Sequence, residues 1–299
     1  MKFQSRAFPG FVLGLTSLVA ILTCVPLSRA QIWATNSPLG AARWSHTATL
    51  LTNGAVLIAG GLIYNENGDQ EDTNACEIYS PQLGDSANTG FMQTYRHSQA
   101  AILLDNGQVL VSGGGGDASS EVYDPGSGSW INYASMNYER QVHVMINLPG
   151  GKVLAAGGYD DDTGNDLTNA EIYDPVAVSW TEIAGMPYPA DTFAAVTLTN
   201  GFILVCGGSD ASQGIYYETN AALYAPATGT WTSIAGMNEA RAGHTASLLP
   251  DGKVLVEGGT GDNTSEIYDP VSGTWTYAAA MNDGRLYSRA VTLDRKSVV

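Results

Sequence analysis

The stretch Asn53-Gly54-Ala55-Val56-Leu57-Ile58-Ala59-Gly60-Gly61 decides the fold, because the chain returns to it at 106–114, 150–158, 200–208 and 251–259. The turn glycines Gly54, Gly107, Gly151, Gly201 and Gly252 set a period of 44 to 53 residues. Each phrase opens on Asn-Gly, Gly-Gly or Asp-Gly, dipeptides that tolerate the positive φ of a tight hairpin. An apolar run follows, without the polar alternation of a half-exposed strand. It predicts a strand covered on both faces.

Working outward, an arginine stands eleven residues before four of the turn glycines (Arg43, Arg96, Arg140, Arg241) and a histidine eight before three (His46, His143, His244). Downstream come Glu77-Ile78-Tyr79, Glu121-Val122-Tyr123, Glu171-Ile172-Tyr173 and Glu266-Ile267-Tyr268, with Ala222-Leu223-Tyr224 in the fourth unit. A proline-containing turn follows each, then Trp130, Trp180, Trp231 or Trp275, with a Met six residues further on. Each unit therefore predicts four short antiparallel strands. One such sheet has two apolar faces and open edges, so it needs copies of itself on both sides. Radial stacking provides them.

These phrases resemble kelch repeats of the secreted bacterial type, within the superfamily that includes the central domain of galactose oxidase. The resemblance implies an all-β, kelch-type β-propeller of four-stranded antiparallel blades over 31–293, with five complete repeats and a partial closing blade. Trp33, Leu39 and Arg43 keep the spacing of Trp231, Met237 and Arg241. They are expected to supply the fourth strand of that closing blade, whose first strand would begin at 290–293. At Asp294 the phrase breaks, and residues 294–299 are expected to be foreign to the fold, leaving the ring incomplete.

The first thirty residues predict a different role. Lys2 and Arg6 precede an uncharged apolar run from Phe11 to Val25, and Ser28 and Ala30 place small residues where a signal peptidase reads. Residues 1–30 are thus expected to be a secretory leader, and the protein secreted, extracellular or periplasmic. No later segment is apolar enough to predict a membrane span. Residues 31–293 carry eight basic side chains against 28 carboxylates, a balance of −20. Such a surface repels nucleic acid and anionic membranes. Beyond the leader only Cys76 and Cys206 remain, nearly three repeats apart, and no Cys/His spacing predicts zinc.

The repeat itself uses most of the chemically versatile residues. His46, His143 and His244 occupy equivalent positions, so symmetry spreads them among blades; each is expected to be satisfied within its own blade rather than to bind metal. His97 lies off that position, without an evident partner. The fourth unit lacks both its arginine (Ala190) and its glutamate (Ala222). Their joint loss predicts pairs of Arg43 with Glu77, Arg96 with Glu121, Arg140 with Glu171 and Arg241 with Glu266. No catalytic constellation is predicted.

Variation is concentrated between Gly-Gly and the third strand, where 15, 6, 12, 13 and 6 residues intervene. Antiparallel alternation puts these loops on one face, and uneven loops on a rigid scaffold are where binding resides. Tyr64, Asp69, Asp72, Tyr159, Asp160, Asp162, Asp166, Asp210 and Tyr216 are the candidate binding residues. Asp160, Asp162 and Asp166 alternate around Gly164, a spacing compatible with calcium, but the loop lacks the distal Glu of an EF-hand. No cofactor is otherwise expected. The expected function is a non-catalytic extracellular module for a protein or glycan ligand. The alternative implied by the resemblance is a carbohydrate-active or copper-radical oxidase of the galactose oxidase type.

Overall fold

The computed structural model describes residues 37–261 and 263–290. The expected leader (1–30), Trp33, the expected tail (294–299) and most of the strand expected at 290–293 lie outside the described residues.

Five four-stranded antiparallel sheets follow one another along the chain. Blade I comprises Thr47–Leu50, Val56–Ala59, Cys76–Ser80 and Asp85–Asn88. Blade II comprises Ala100–Leu103, Val109–Ser112, Ser120–Asp124 and Ser129–Tyr133. Blade III comprises Val144–Asn147, Val153–Ala156, Ala170–Asp174 and Ser179–Ile183. Blade IV comprises Ala194–Thr197, Ile203–Cys206, Ala221–Ala225 and Thr230–Ile234. Blade V comprises Thr245–Leu248, Val254–Glu257, Ser265–Asp269 and Thr274–Tyr277. The first strands of successive blades touch, so they are the innermost. This is a kelch-type β-propeller. Among the described residues no helix is long and apolar enough to cross a membrane.

The continuous apolar second strands now have a physical reason. Their residues point alternately at the blade before and the blade after. Leu154 and Ala156 of blade III pack with Ile203 and Val205 of blade IV, while Val153 and Ala155 pack back on Leu110 and Val122 of blade II. All four residues of Val153–Ala156 are buried. The core is therefore a set of layers between blades.

Outer strands are held by Tyr–Trp pairs directly opposite in register, such as Tyr173 and Trp180, with ring centroids 4.8–5.2 Å apart in blades II to V. Blade I departs from this pattern, with Ser86 opposite Tyr79. The following turn carries a left-handed residue: Gly84, Gly128, Gly229 and Gly273, but Val178 in blade III, at φ +51°. A β-branched side chain is strained there. Val178→Gly is expected to raise stability by about 1 kcal/mol, the strain relieved exceeding the added chain entropy. An unchanged denaturation midpoint would show that Val178 carries no such strain.

Consecutive blades are also tied backbone to backbone just before each innermost strand. The N–H of Ser98 donates to the carbonyl of Ser45, Val142 to Ser98, Thr192 to Val142, Gly243 to Thr192 and Tyr287 to Gly243, at 2.8–3.4 Å. All six residues have φ between +49° and +65°. The last link belongs to a sixth repeat. There Met281 N–H donates to Asn263 O and Gly259 N–H to Arg285 O, as Met237 does to Thr219 and Gly208 to Arg241.

Candidate functional site

The repeat residues are committed to the scaffold. Arg43, Arg96, Arg140 and Arg241 reach Glu77, Glu121, Glu171 and Glu266 at 2.7–3.5 Å, and all eight side chains are essentially inaccessible. Each arginine Nη1 also donates to two backbone carbonyls, those of Gly157 and Asn169 in blade III. The glutamate holds the incoming connection: Asn137 and Tyr138 donate their N–H groups to Glu171 at 2.7 and 3.3 Å. The pair thus clamps the junction between blades. Most of its polar atoms are satisfied, as burial requires, although Nε of Arg43, Arg140 and Arg241 lacks a partner among the described residues.

Blade IV replaces the pair with a phenol. Ala190 and Ala222 are fully buried in an apolar layer against which Tyr188 packs. The Tyr188 hydroxyl donates to the carbonyl of Asn220 at 3.2 Å. The equivalent carbonyls, of Ala75, Ser119, Asn169 and Thr264, are those that accept from arginine in the other blades. Burial pushes the Tyr188 hydroxyl far above its ordinary pKa. Tyr188→Phe is expected to cost about 1 kcal/mol, one neutral hydrogen bond. A loss above about 3 kcal/mol would show that Tyr188 holds this layer by more than this contact.

The histidines correct the sequence expectation. His143 and His244 meet their polar neighbour across the blade boundary, not within their own blade, and Nδ1 of each lacks a partner among the described residues. His143 Nε2 lies 3.3 Å from Ser112 Oγ of the preceding blade, and His244 Nε2 lies 3.6 Å from Cys206 Sγ of the preceding blade. In blade II, Gln99 fills the position and donates to the carbonyl of Ala59 at 2.8 Å. Burial and then the neighbouring Arg140 hold His143 well below the ordinary range. Burial and Arg241 push His244 down to about 3. Both are neutral in the folded protein, whereas the unfolded chain protonates them below about pH 6.5. Their contribution is therefore complete above that pH and fades as the pH falls. His143→Phe with His244→Phe, copying Phe193 of blade IV, is expected to flatten the loss of stability between pH 7 and 4. Parallel pH curves for the two proteins would contradict this reading.

The candidate binding residues lie in the long loops. The 62–76 stretch forms a hairpin, Leu62–Tyr64 with Gln70–Asp72, and the blade III loop forms a shorter one, Tyr159–Asp160 with Asn165–Asp166. Both are paired backbone where the sequence predicts loops. Tyr64 is 62% exposed and lies against Trp44, with ring centroids 5.0 Å apart. Asp69 is exposed beside it. Asp72 meets His97, Nδ1 to Oδ1 at 2.7 Å, with both side chains partly open to solvent. His97 therefore has a partner, against expectation. Nothing in the spacing signals it, since Asp72 belongs to the variable hairpin.

The blade III residues divide. Tyr159 is half-buried and bridges Gln141 through its backbone. Asp160 is buried and accepts the N–H of Thr163 at 3.0 Å, whereas Asp162 is exposed and donates its N–H to Glu139 at 2.9 Å. Asp166 turns toward blade IV and accepts the N–H of Ala211; its other oxygen lacks a partner among the described residues. Burial, with Asp191 and Asp210 nearby, pushes Asp166 up to about 6. Asp210 is buried, and Tyr216 is 78% exposed at the edge of the loop. The alternating aspartates thus separate rather than converge. Among the described residues no group of three or more His, Cys, Asp or Glu is arranged to hold a metal ion.

The opposite face consists of tight turns. Lys152 and Lys253 there pair with Asp174 and Asp269 at 3.0 and 3.1 Å. Open dents between the turns are walled by residues such as Leu104, Gly151, Pro175 and Pro226, mostly turn backbone and proline.

Comparison with known proteins agrees with the fold. A family profile described as Kelch motif matches residues 148–187. No curated protein matches the chain. Among solved structures, one titled "Structure of YjhT" is similar with a TM-score of 0.68 at 15% sequence identity, covering 85% of this chain and 89% of that one. At that identity the likeness concerns architecture.

Proposed function

We propose that this kelch-type propeller is a non-catalytic extracellular binding module that takes a glycan or protein ligand on its long-loop face. One observation carries the reading: exposed aromatic and carboxylate side chains are gathered on that face, while the repeat residues beneath are locked into the scaffold. Tyr64, Tyr95 and Tyr216 are more than half exposed. Large amphipathic rings on a rigid support give contact area at low entropic cost.

The candidate nucleophiles and bases of the repeat support binding over catalysis. Burial pushes the thiols of Cys76 and Cys206 up to about 11 and about 12, so neither stands as a thiolate at neutral pH. His143 and His244 face into blade boundaries. The test is ligand capture by the full chain from a glycan array and from extracellular protein extracts. Capture should be weakened by loop-face substitutions such as Tyr216→Ala or Tyr64→Ala and unaffected by Lys253→Ala. Capture lost only through Lys253→Ala would move the site to the turn face. Stoichiometric copper uptake with a tyrosyl-radical spectrum would replace binding with oxidation.

A further inference from the structure

One part of the loop face joins a tilted aromatic pair to a polar dyad. Trp44 and Leu62 exchange backbone hydrogen bonds at 3.2 and 2.8 Å. Leu62 in turn lies opposite Asp72 in the hairpin, and Thr73 bridges Arg96, the residue before His97. These segments lie side by side across blades I and II. They present Tyr64 against Trp44 at one end and Asp72 against His97 at the other.

The dyad is built for recognition by hydrogen bonds. Asp72 Oδ1 stands 2.7 Å from His97 Nδ1, so Nε2 is the ring nitrogen on the side away from the carboxylate. Asp72 retains Oδ2 for a further donor. Gly115 lies directly beside that oxygen: a Cβ on it would stand 2.8 Å from Asp72 Oδ2 and 3.7 Å from His97 Nδ1. Exposed Gly115, at φ +60°, therefore leaves the carboxylate uncovered. Tyr95 stands close by, 61% exposed.

We propose that Trp44, Tyr64, Asp72 and His97, over the space left by Gly115, bind a neutral pyranose unit of a glycan. This rests on the loop-face reading above and names its ligand class. A pyranose has an apolar C–H face that stacks on aromatic rings and equatorial hydroxyls that donate to a carboxylate and an imidazole nitrogen. Acidic sugars are disfavoured: Glu66, Asp69 and Glu71 lie in the same hairpin, and the guanidinium groups of Arg43 and Arg96 are buried against Glu77 and Glu121.

The test titrates the full chain by calorimetry with neutral cello-, xylo-, manno-, galacto- and α-gluco-oligosaccharides. At least one series is expected to bind. Tyr64→Ala and Asp72→Asn should each weaken it tenfold or more, with the melting midpoint unchanged, while Lys253→Ala has no effect. If Tyr64→Ala proves unstable, Gly115→Ser supplies an independent block of the same space. Binding by none of the five series overturns the proposal, as does binding that ignores Asp72→Asn. Binding abolished by Tyr216→Ala alone also overturns it but keeps the broader loop-face reading. Loss through Lys253→Ala alone overturns both. Capture of a lysine-rich peptide in place of every sugar would assign the face to a basic protein partner instead.

Discussion

Glu171→Ala is expected to destabilise the folded protein by about 3–5 kcal/mol, because it leaves the Arg140 guanidinium buried without its counter-charge. The side chains of Arg140 and Glu171 are both completely inaccessible, 2.9 Å apart. The loss extends beyond the ion pair. Glu171 also accepts the backbone N–H groups of Asn137 and Tyr138 and the side-chain amide of Asn137, so its removal strands several donors at once. In a domain of this size that corresponds to a fall in melting midpoint of roughly 10 °C.

The double variant Arg140→Ala/Glu171→Ala sharpens the test, since blade IV already lives with alanine at both places. It should cost clearly less than the sum of the two single changes. An additive double, or an unchanged melting curve for Glu171→Ala, would remove the pair from the account of stability. The double will not be neutral, because blade III has no counterpart of the buried Tyr188 hydroxyl. At the equivalent place stands Tyr138, whose hydroxyl points outward to Glu182 at 2.8 Å.

Gly113→Ala should do comparable damage for a different reason. A Cβ on Gly113 would lie 2.2 Å from the carbonyl oxygen of Arg140, 2.9 Å from His143 Cε1 and 3.2 Å from Met136 Cε. The first of these is backbone of the neighbouring blade and cannot move aside cheaply. The residue also has φ +65°, which costs an L-residue about 1–2 kcal/mol before any overlap. Overpacking adds a further ~1–3 kcal/mol. A matched control separates the two contributions. Gly150 has φ +84°, and a methyl group placed on it would meet nothing within 4 Å, so Gly150→Ala should show the conformational cost alone. Equal losses for Gly113→Ala and Gly150→Ala, measured by denaturant midpoint, would mean that close approach of the blades is unimportant.

The propeller was readable because its determinants recur. Gly-Gly, Glu-x-Tyr and Trp stand at near-constant spacing, and the apolar run of Val153–Ala156 announces a strand sandwiched between two neighbours. The hairpin of Leu62–Asp72 was not readable, since Asn65, Asn67 and Gly68 carry turn chemistry that suits a loop equally well. The contacts of His143 and His244 were hidden for another reason. Periodicity assigns a residue to a blade but does not say toward which neighbour its side chain points.

The loop face was legible as a location and much less as an arrangement. Tyr64, Asp72 and Tyr216 emerge where uneven loop length places them. Asp160, Asp162 and Asp166 alternate in sequence, yet the turn around Gly164 sends Asp166 to the N–H of Ala211. Trp44, His97 and Asp191 enter the picture only in three dimensions. Each follows the arginine position, or the alanine that replaces it, in a segment whose repeat signal belongs to the scaffold.

The chain of peptide bonds linking Ser45, Ser98, Val142, Thr192, Gly243 and Tyr287 has one further consequence. Each N–H points along the circumference toward the preceding blade, so the dipoles run head to tail around the mouth instead of along its axis. A tangential dipole produces no potential at a point on the axis it circles. Unlike a helix terminus, which advertises a sign of charge, this hoop is electrically silent at its centre. These links therefore add nothing to the polarity sensed by anything approaching along the axis, and loop residues can be exchanged without retuning them.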